Sequence, residues 1–357
     1  MGTSRKIEAL SALFAAGVFA GSLLPEDGSA PYPIAFSLLS ALMAGLLTMM
    51  RKPGIPALCL CFFLCGMLSY ETAAFPAPMA SRPVLRLASD AGNGLKSYLE
   101  SVSFRNPETP ALLKALLCGD RTSLSGDTVR TFREAGASHL LALSGLHIGI
   151  IYLMLSRLFA PLGHSPASRT AKGILTVLFA FFYALMTGAS PSILRATLFI
   201  AINETAGLLH RKKDPLKVLC LALVLQLAFS PSSIRSVGFQ LSYAAMLGIF
   251  LIHPRLSAFY PRTGKGPDPV RKIWETASLS LSCQITTAPV AWLYFRSFPV
   301  YFLITNLIAI PLTTLLVGTS ILTLLLFRTG ICPEVMISLT GLLADALLGS
   351  LQIIASM

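Results

Sequence analysis

The stretch HLLALSGLHIG, residues 139–149, lies inside a long apolar run yet carries two histidines, a serine and two glycines. Polar groups buried without partners cost roughly several kcal/mol each in hydrocarbon. His139, Ser144 and His147 therefore require water or a neighbouring helix beside them, and the surrounding sequence decides which.

Those surroundings are strongly apolar. Of 357 residues, 54% are hydrophobic and 12% charged, and the mean hydropathy is +0.71, which excludes a soluble globular domain. A crossing helix needs about 20 apolar residues for a hydrocarbon layer of roughly 30 Å. About eleven segments meet that measure, near 7–24, 33–50, 55–74, 138–159, 172–187, 190–210, 216–230, 236–253, 274–294, 298–327 and 332–355. The expected fold class is an all-α polytopic membrane bundle. Pro311 is expected to kink or divide the segment 298–327, which is too long for one straight span. The N-terminus imitates a signal peptide but reads as an uncleaved first span. Cysteines 59, 61, 65, 220 and 283 fall in apolar runs as small core residues without zinc-type spacing, and Cys118 alone falls in the expected outer region.

Orientation follows from Lys and Arg, which accumulate in short cytoplasmic loops. With the N-terminus inside, the inner segments hold 17 of the 28 basic residues, including Arg51 and Lys52, Arg211 to Lys213 with Lys217, and Arg328. The short outer loops carry essentially Arg235 and Arg296. Eleven spans place the C-terminus outside. Residues 76–137 form the one sizeable extramembrane segment, with Arg82, Arg86, Lys96, Arg105, Lys114, Arg121, Arg130 and Arg133. Val84, Ala88, Ala91, Leu95, Tyr98 and Val102 repeat at steps of four and three, as in an interfacial amphipathic helix, weakened by Gly92 and Gly94. Thr109 and Pro110 suit the start of a short helix to Leu117, and Asp127 begins another that Gly136 ends. The charges read either as a solvated surface or as an electropositive vestibule for a polyanion.

Within the apolar segments, Ser138, Ala142, Gly145 and Gly149 lie at steps of four, three and four, a small-residue stripe for close helix packing. Ser144 and His147 share a neighbouring face, and His139 lies nearer the outer end. In TGASPSILRATLF, residues 187–199, Gly188, Ser190 and Pro191 make a turn or re-entrant break. Ser192 follows, and Arg195 comes already within apolar sequence, where an arginine needs a wet path or a partner. Gln240 and Ser242 interrupt the eighth span and Gln284 the ninth; interhelical hydrogen bonding alone also accounts for such residues.

LLKALLCGDRTSLSGDTVRTFREAGASHLLALSGLHIGI, then TGASPSILRATLF, VGFQLSYAAMLGI and ITTAPVAWLYFRSFPVYFLITNLIAIPL, in that order, resemble the competence domain of the ComEC family, over roughly residues 108–325. That family forms the inner-membrane channel by which transformable bacteria take up single-stranded DNA. The likeness implies that Ser144 to His147 and Ser190 to Arg195 are its hallmark positions. It divides the chain into three N-terminal spans (1–75), an extracytoplasmic helical segment (76–137) and a channel domain of about eight spans (138–357). No outer OB-type domain is expected, since residues 76–137 are short and helical in pattern, and no metallo-beta-lactamase domain, since the five histidines make no H-x-H-x-D-H signature.

The leading expectation is a passive conduit for single-stranded DNA in the bacterial inner membrane. His139, Ser144, His147, Ser190, Ser192, Arg195, Gln240, Ser242 and Gln284 line it, and Ala142, Gly145 and Gly149 pack its helices. No cofactor or metal is expected, and no nucleotide-binding loop occurs; RTGKGP, residues 262–267, lacks the spacing. A cytosolic helicase-like motor, a separate DNA receptor and a separate nuclease are the implied partners, besides membrane lipids. Two alternatives come from other classes: a small-solute or peptide transporter built around the break at 188–191, and an intramembrane hydrolase with Ser144 as nucleophile and His147 as base. The hydrolase lacks an evident third group, and LSGLH is not a G-x-S-x-G elbow.

Overall fold

The computed structural model describes residues 3–23, 55–73, 83–163, 165–260, 268–296, 299–328, 330 and 333–357. The expected second span, 33–50, and Arg82 lie outside the described residues, among which no strand occurs. The helices are α1 (Thr3–Ser22), α2 (Ile55–Ala73), α3 (Pro83–Ser101), α4 (Glu108–Cys118), α5 (Gly126–Glu134), α6 (Ser138–Leu141), α7 (Gly145–Leu158) and α8 (Pro166–Met186). They continue as α9 (Pro191–Leu208), α10 (Pro215–Phe229), α11 (Val237–Leu247), α12 (His253–Ser257), α13 (Pro269–Phe295), α14 (Phe302–Arg328) and α15 (Glu334–Ala355). A π-helical turn, Gly248–Ile252, joins α11 to α12. Four helices among the described residues are long and apolar enough to cross a membrane by length and composition: α8, the run Val237–Ser257, α14 and α15.

The chain forms two compact units, Met1–Arg82 with Leu198–Tyr243, and Pro83–Thr197 with Ala244–Met357. In the first, α1 and α2 pack backbone to backbone. A Cβ on Gly17 would run into the Phe63 carbonyl, and one on Gly66 into the Phe14 carbonyl. Polar side chains are satisfied internally: buried Gln226 accepts from the Tyr243 hydroxyl at 3.0 Å, and Gln240 donates to the Ile234 carbonyl at 3.0 Å.

The second unit is built around α14, α15 and the short helices that precede α7. Leu112, Leu113, Leu116, Phe132, Leu316, Leu347 and Leu351 form its core. The expected start of α4 at Thr109 and the stop at Gly136 agree with the helices found. Ser125 caps α5 by accepting from the Thr128 N–H at 3.2 Å, and Gly136 has φ +75°. From Thr109 to Cys118 every residue except Pro110 is buried, so α4 belongs to the core and not to a solvated surface. Burial pushes the Cys118 thiol up to about 11, which makes it an unreactive packing group.

Three expectations need correction. The span expected at 138–159 is broken: α6 ends at Leu141, Ala142 is extended with ψ 129°, and Ser144 starts α7 as its N-cap. A serine followed three residues later by a side chain that reaches back competes with a continuous helix through its own capping bonds. The stripe Ser138, Ala142, Gly145, Gly149 is thereby split, and nothing lies within 4 Å of a Cβ on Gly149. Second, α14 is not divided at Pro311; the helix runs through it, because neighbours such as buried Ala309, Thr313 and Leu316 hold both halves in place. Third, Gly92 does more than weaken α3: a Cβ there would come within 2.7 Å of the Met186 carbonyl at the end of α8, so the glycine serves packing between the two helices. Losing the side chain lets the two backbones meet.

Candidate functional site

The N-terminus of α7 is held by a reciprocal pair. Ser144 Oγ accepts from the Leu146 N–H at 3.3 Å, while the Ser144 N–H donates to His147 Nδ1 at 3.2 Å. Because Nδ1 accepts, the ring proton is assigned to Nε2. His147 is 1% exposed, and its Nε2 is buried with no hydrogen-bond partner among the described residues. A buried N–H left in that state costs about 1–3 kcal/mol, so it is poised to donate to something else. Ser144 Oγ also lies 3.1 Å from Nδ1. That is the reach of a nucleophile and base, but such a base needs an orienting acceptor at Nε2, where the described residues supply none.

The second cluster meets the first. After α8, Gly188 (φ +82°) and Ala189 (φ +50°) turn the chain, with the Ala189 N–H bonded to the Ala184 carbonyl at 2.7 Å. The left-handed residues reverse direction within four positions, and Pro191 opens α9. One turn into α9, Arg195 is buried, and a Cβ on Gly145 would sit 3.5 Å from its Nη2. The start of α7 thus packs on the guanidinium. Thr197, two residues on, is fully buried with Oγ1 unpartnered among the described residues. Ser190 and Ser192 are half-buried at the start of α9.

Of the remaining candidates in this unit, His139 lies within electrostatic reach of His147. His139 is exposed on α6, with its ring bonded to the Gly136 backbone. Ala142 lies in the extended link, and Gln284 is half-buried on α13. Gln240 and Ser242 belong to the other compact unit, where Gln240 is already bonded to its own turn.

The basic residues before α7 are also partly spent. Lys96 pairs with Asp120, Lys114 with Glu100 and Arg130 with Glu134, each at 2.7 Å. The Lys96 ammonium, and then Thr122, hold the Asp120 carboxyl well below the usual carboxylate range. Arg86, Arg105, Arg121 and Arg133 remain exposed.

Sequence reasoning passed over three polar positions. Gln226 in ALVLQLAF and Asp345 in LLADALL were visible as lone polar residues in apolar runs. The buried stripe Thr305, Thr313, Ser320 and Thr323 on α14 was not, because single hydroxyls barely alter hydropathy; Thr305 and Ser320 bond back to their own helix, Thr323 pairs with Thr340 of α15, and Thr313 has no partner among the described residues. Asp345 is exposed at the middle of α15 and accepts from Asn106 Nδ2 at 2.6 Å.

A family model described as Competence protein matches residues 116–357. ComE operon protein 3 of Bacillus subtilis is 28% identical over 217 residues, 60% of this chain and 26% of that protein. Recombination protein 2 of Haemophilus influenzae is 28% identical over 221 residues, 59% of this chain and 28% of that protein. Competence protein ComA of Neisseria gonorrhoeae is 29% identical over 206 residues, 56% of this chain and 28% of that protein. The chain thus spans 26–28% of the length of these relatives. No solved structure matches it.

Proposed function

This chain belongs to the Competence protein family, and on that premise we propose that it provides the membrane conduit for single-stranded DNA in natural transformation. The observation that carries the reading is the contact between Gly145 and Arg195, which joins the two motif segments around one buried guanidinium. A permanent cation inside apolar sequence suits a site that a phosphate passes. The inward-facing N–H on His147 Nε2 offers a second donor, and Ser190 and Ser192 a polar rim. Exposed Arg86, Arg105, Arg121 and Arg133 concentrate the polyanion at the mouth.

The same proposal places the chain in the bacterial inner membrane as a polytopic helical bundle, with the N-terminus in the cytoplasm and residues 76–137 on the outer side. Inward transfer of each phosphate opposes a negative-inside potential by roughly 2.3 kcal/mol per 100 mV when the charge crosses the whole field. A cytosolic helicase-like motor supplies that work, and a separate receptor and nuclease deliver a single strand. The test is Arg195→Ala in a transformable host carrying labelled DNA: internalisation falls to background while surface DNA binding persists. Uptake at the native rate overturns the conduit.

A further inference from the structure

By length and composition α14 and α15 read as a hairpin that crosses the membrane and returns. The contacts at the two ends of α14 point elsewhere. In its first turn, Thr305 Oγ1 donates to the Ala135 carbonyl at 2.6 Å. In its last turn, the Leu324 carbonyl accepts from the Tyr98 hydroxyl at 3.1 Å, and the Tyr98 ring lies 5.7 Å from that of Phe327. These contacts are about 28 Å apart along the helix, close to the roughly 30 Å of a hydrocarbon core. Were α14 to run along the membrane normal, Ala135 and Tyr98 would lie near opposite faces.

Yet both are linked, through contacts among the short helices, to the C-terminal end of α8. Gly92, about 9 Å from Tyr98 along α3, packs on the Met186 carbonyl. One turn earlier, Tyr183 donates to the Leu117 carbonyl at the end of α4, at 2.7 Å. Arg121, just beyond α4, donates to the Leu141 carbonyl at the end of α6, at 2.9 Å, and α6 begins close after Ala135. Both ends of α14 are therefore anchored to the same layer of short helices.

Two further observations agree. The exposed residues of that layer include Arg86, Asp90, Arg105, Arg133 and Glu134, which cannot face hydrocarbon. The free side of the hairpin exposes Leu315, Leu325, Val335 and Leu342. On α15, Ser338, Asp345 and Gln352 are exposed at seven-residue intervals, along the edge between that apolar face and the buried one. A crossing helix keeps its polar residues at its ends, whereas on α15 Asp345 lies at the midpoint, between Ser338 and Gln352.

We propose that the α14–α15 hairpin lies along the membrane surface, with its apolar face seated in the acyl chains of one leaflet and α3, α4 and α5 covering its other face. The two ends of α14 then open on one side of the membrane. Asp345 sits at the water line beside the Asn106 loop instead of in mid-bilayer. The inference is independent of what the protein transports.

The test uses the full-length chain in sealed, right-side-out membrane vesicles. Val300→Cys and Glu334→Cys, one before α14 and one at the start of α15, are reacted with a membrane-impermeant maleimide and compared with the parent chain. Labelling of both from the same side is expected. Labelling of Glu334→Cys only from the side opposite to Val300→Cys overturns the proposal and restores a crossing helix. Should either variant fail to accumulate or resist the reagent, epitopes inserted after Val300 and after Gly330 are read by antibody with the same two outcomes. The lipid seat has its own readout: Leu342→Trp, with Trp274 and Trp292 replaced by Phe, is quenched by lipids brominated on their acyl chains. Absence of quenching assigns the face to protein and overturns that part.

Discussion

Ser144 does two things that a serine in mid-helix cannot. Its hydroxyl takes the Leu146 N–H, and its own N–H is taken by His147. Ser144→Ala removes the first bond and is expected to cost about 0.5–2 kcal/mol, read as a lower melting temperature in detergent, whereas Ser144→Asn keeps most of the stability. A hydrolytic role predicts something different, total loss of activity with either change. At His147 the two jobs of the ring separate by substitution. Glu at the same position also completes a capping box and has no N–H of its own, so His147→Glu keeps the cap while removing the buried Nε2–H. DNA uptake that survives in His147→Glu but not in His147→Leu assigns the residue to the cap; equal loss in both, with native melting temperature in the Glu variant, assigns it to the path.

At the scale of the element, the short helices α4 to α6 are fastened by donors to the carbonyls at their C-termini. Tyr183 serves α4, Thr305 serves the end of α5, and Arg121 serves α6. Helix-terminal carbonyls have no partner of their own, and here neighbouring elements supply one. Tyr183→Phe keeps the ring and strands the Leu117 carbonyl, so a loss of about 1–3 kcal/mol is expected in thermal unfolding; Thr305→Val should behave alike. The Lys96–Asp120 pair ties α3 to the end of α4. Because the folded-state pKa of Asp120 is depressed, its stabilisation is present above the ordinary carboxylate range of about 4 and is lost as pH falls below it. Asp120→Asn should lower resistance at neutral pH and flatten the acid limb of a proteolysis-resistance profile, its difference from the parent shrinking steadily as pH falls below about 4. An unchanged acid limb would show that the pair does not hold the layer.

For the whole molecule, charge at the mouth is the quantity that DNA would read in the proposed conduit. Lys96, Lys114 and Arg130 are engaged with carboxylates, so the exposed arginines carry the long-range attraction. Arg105→Ala with Arg133→Ala should lower the salt dependence of single-strand binding by a log–log slope of roughly 1.4, measured by titration at several salt concentrations. Lys114→Met should instead destabilise the fold, since it leaves Glu100 and Ser123 without their shared ammonium. The class of the chain, its helices and the two motif segments were legible in the linear order of residues, because hydropathy, Gly and Pro turns and charge bias act over a few positions. The limits of α4 and α5 were legible for the same reason. The break at Ala142 was not, because a capping bond is lost in the average over an apolar run. Nor was the meeting of Gly145 with Arg195, nor the pairing that removes Lys96 and Lys114 from the mouth, since each joins residues far apart in the chain. The course of α14 belongs with these. Its length and apolarity are properties of its own residues, but the direction in which it runs depends on what Thr305 and Leu324 touch, and those partners, Ala135 and Tyr98, are supplied only by the folded chain.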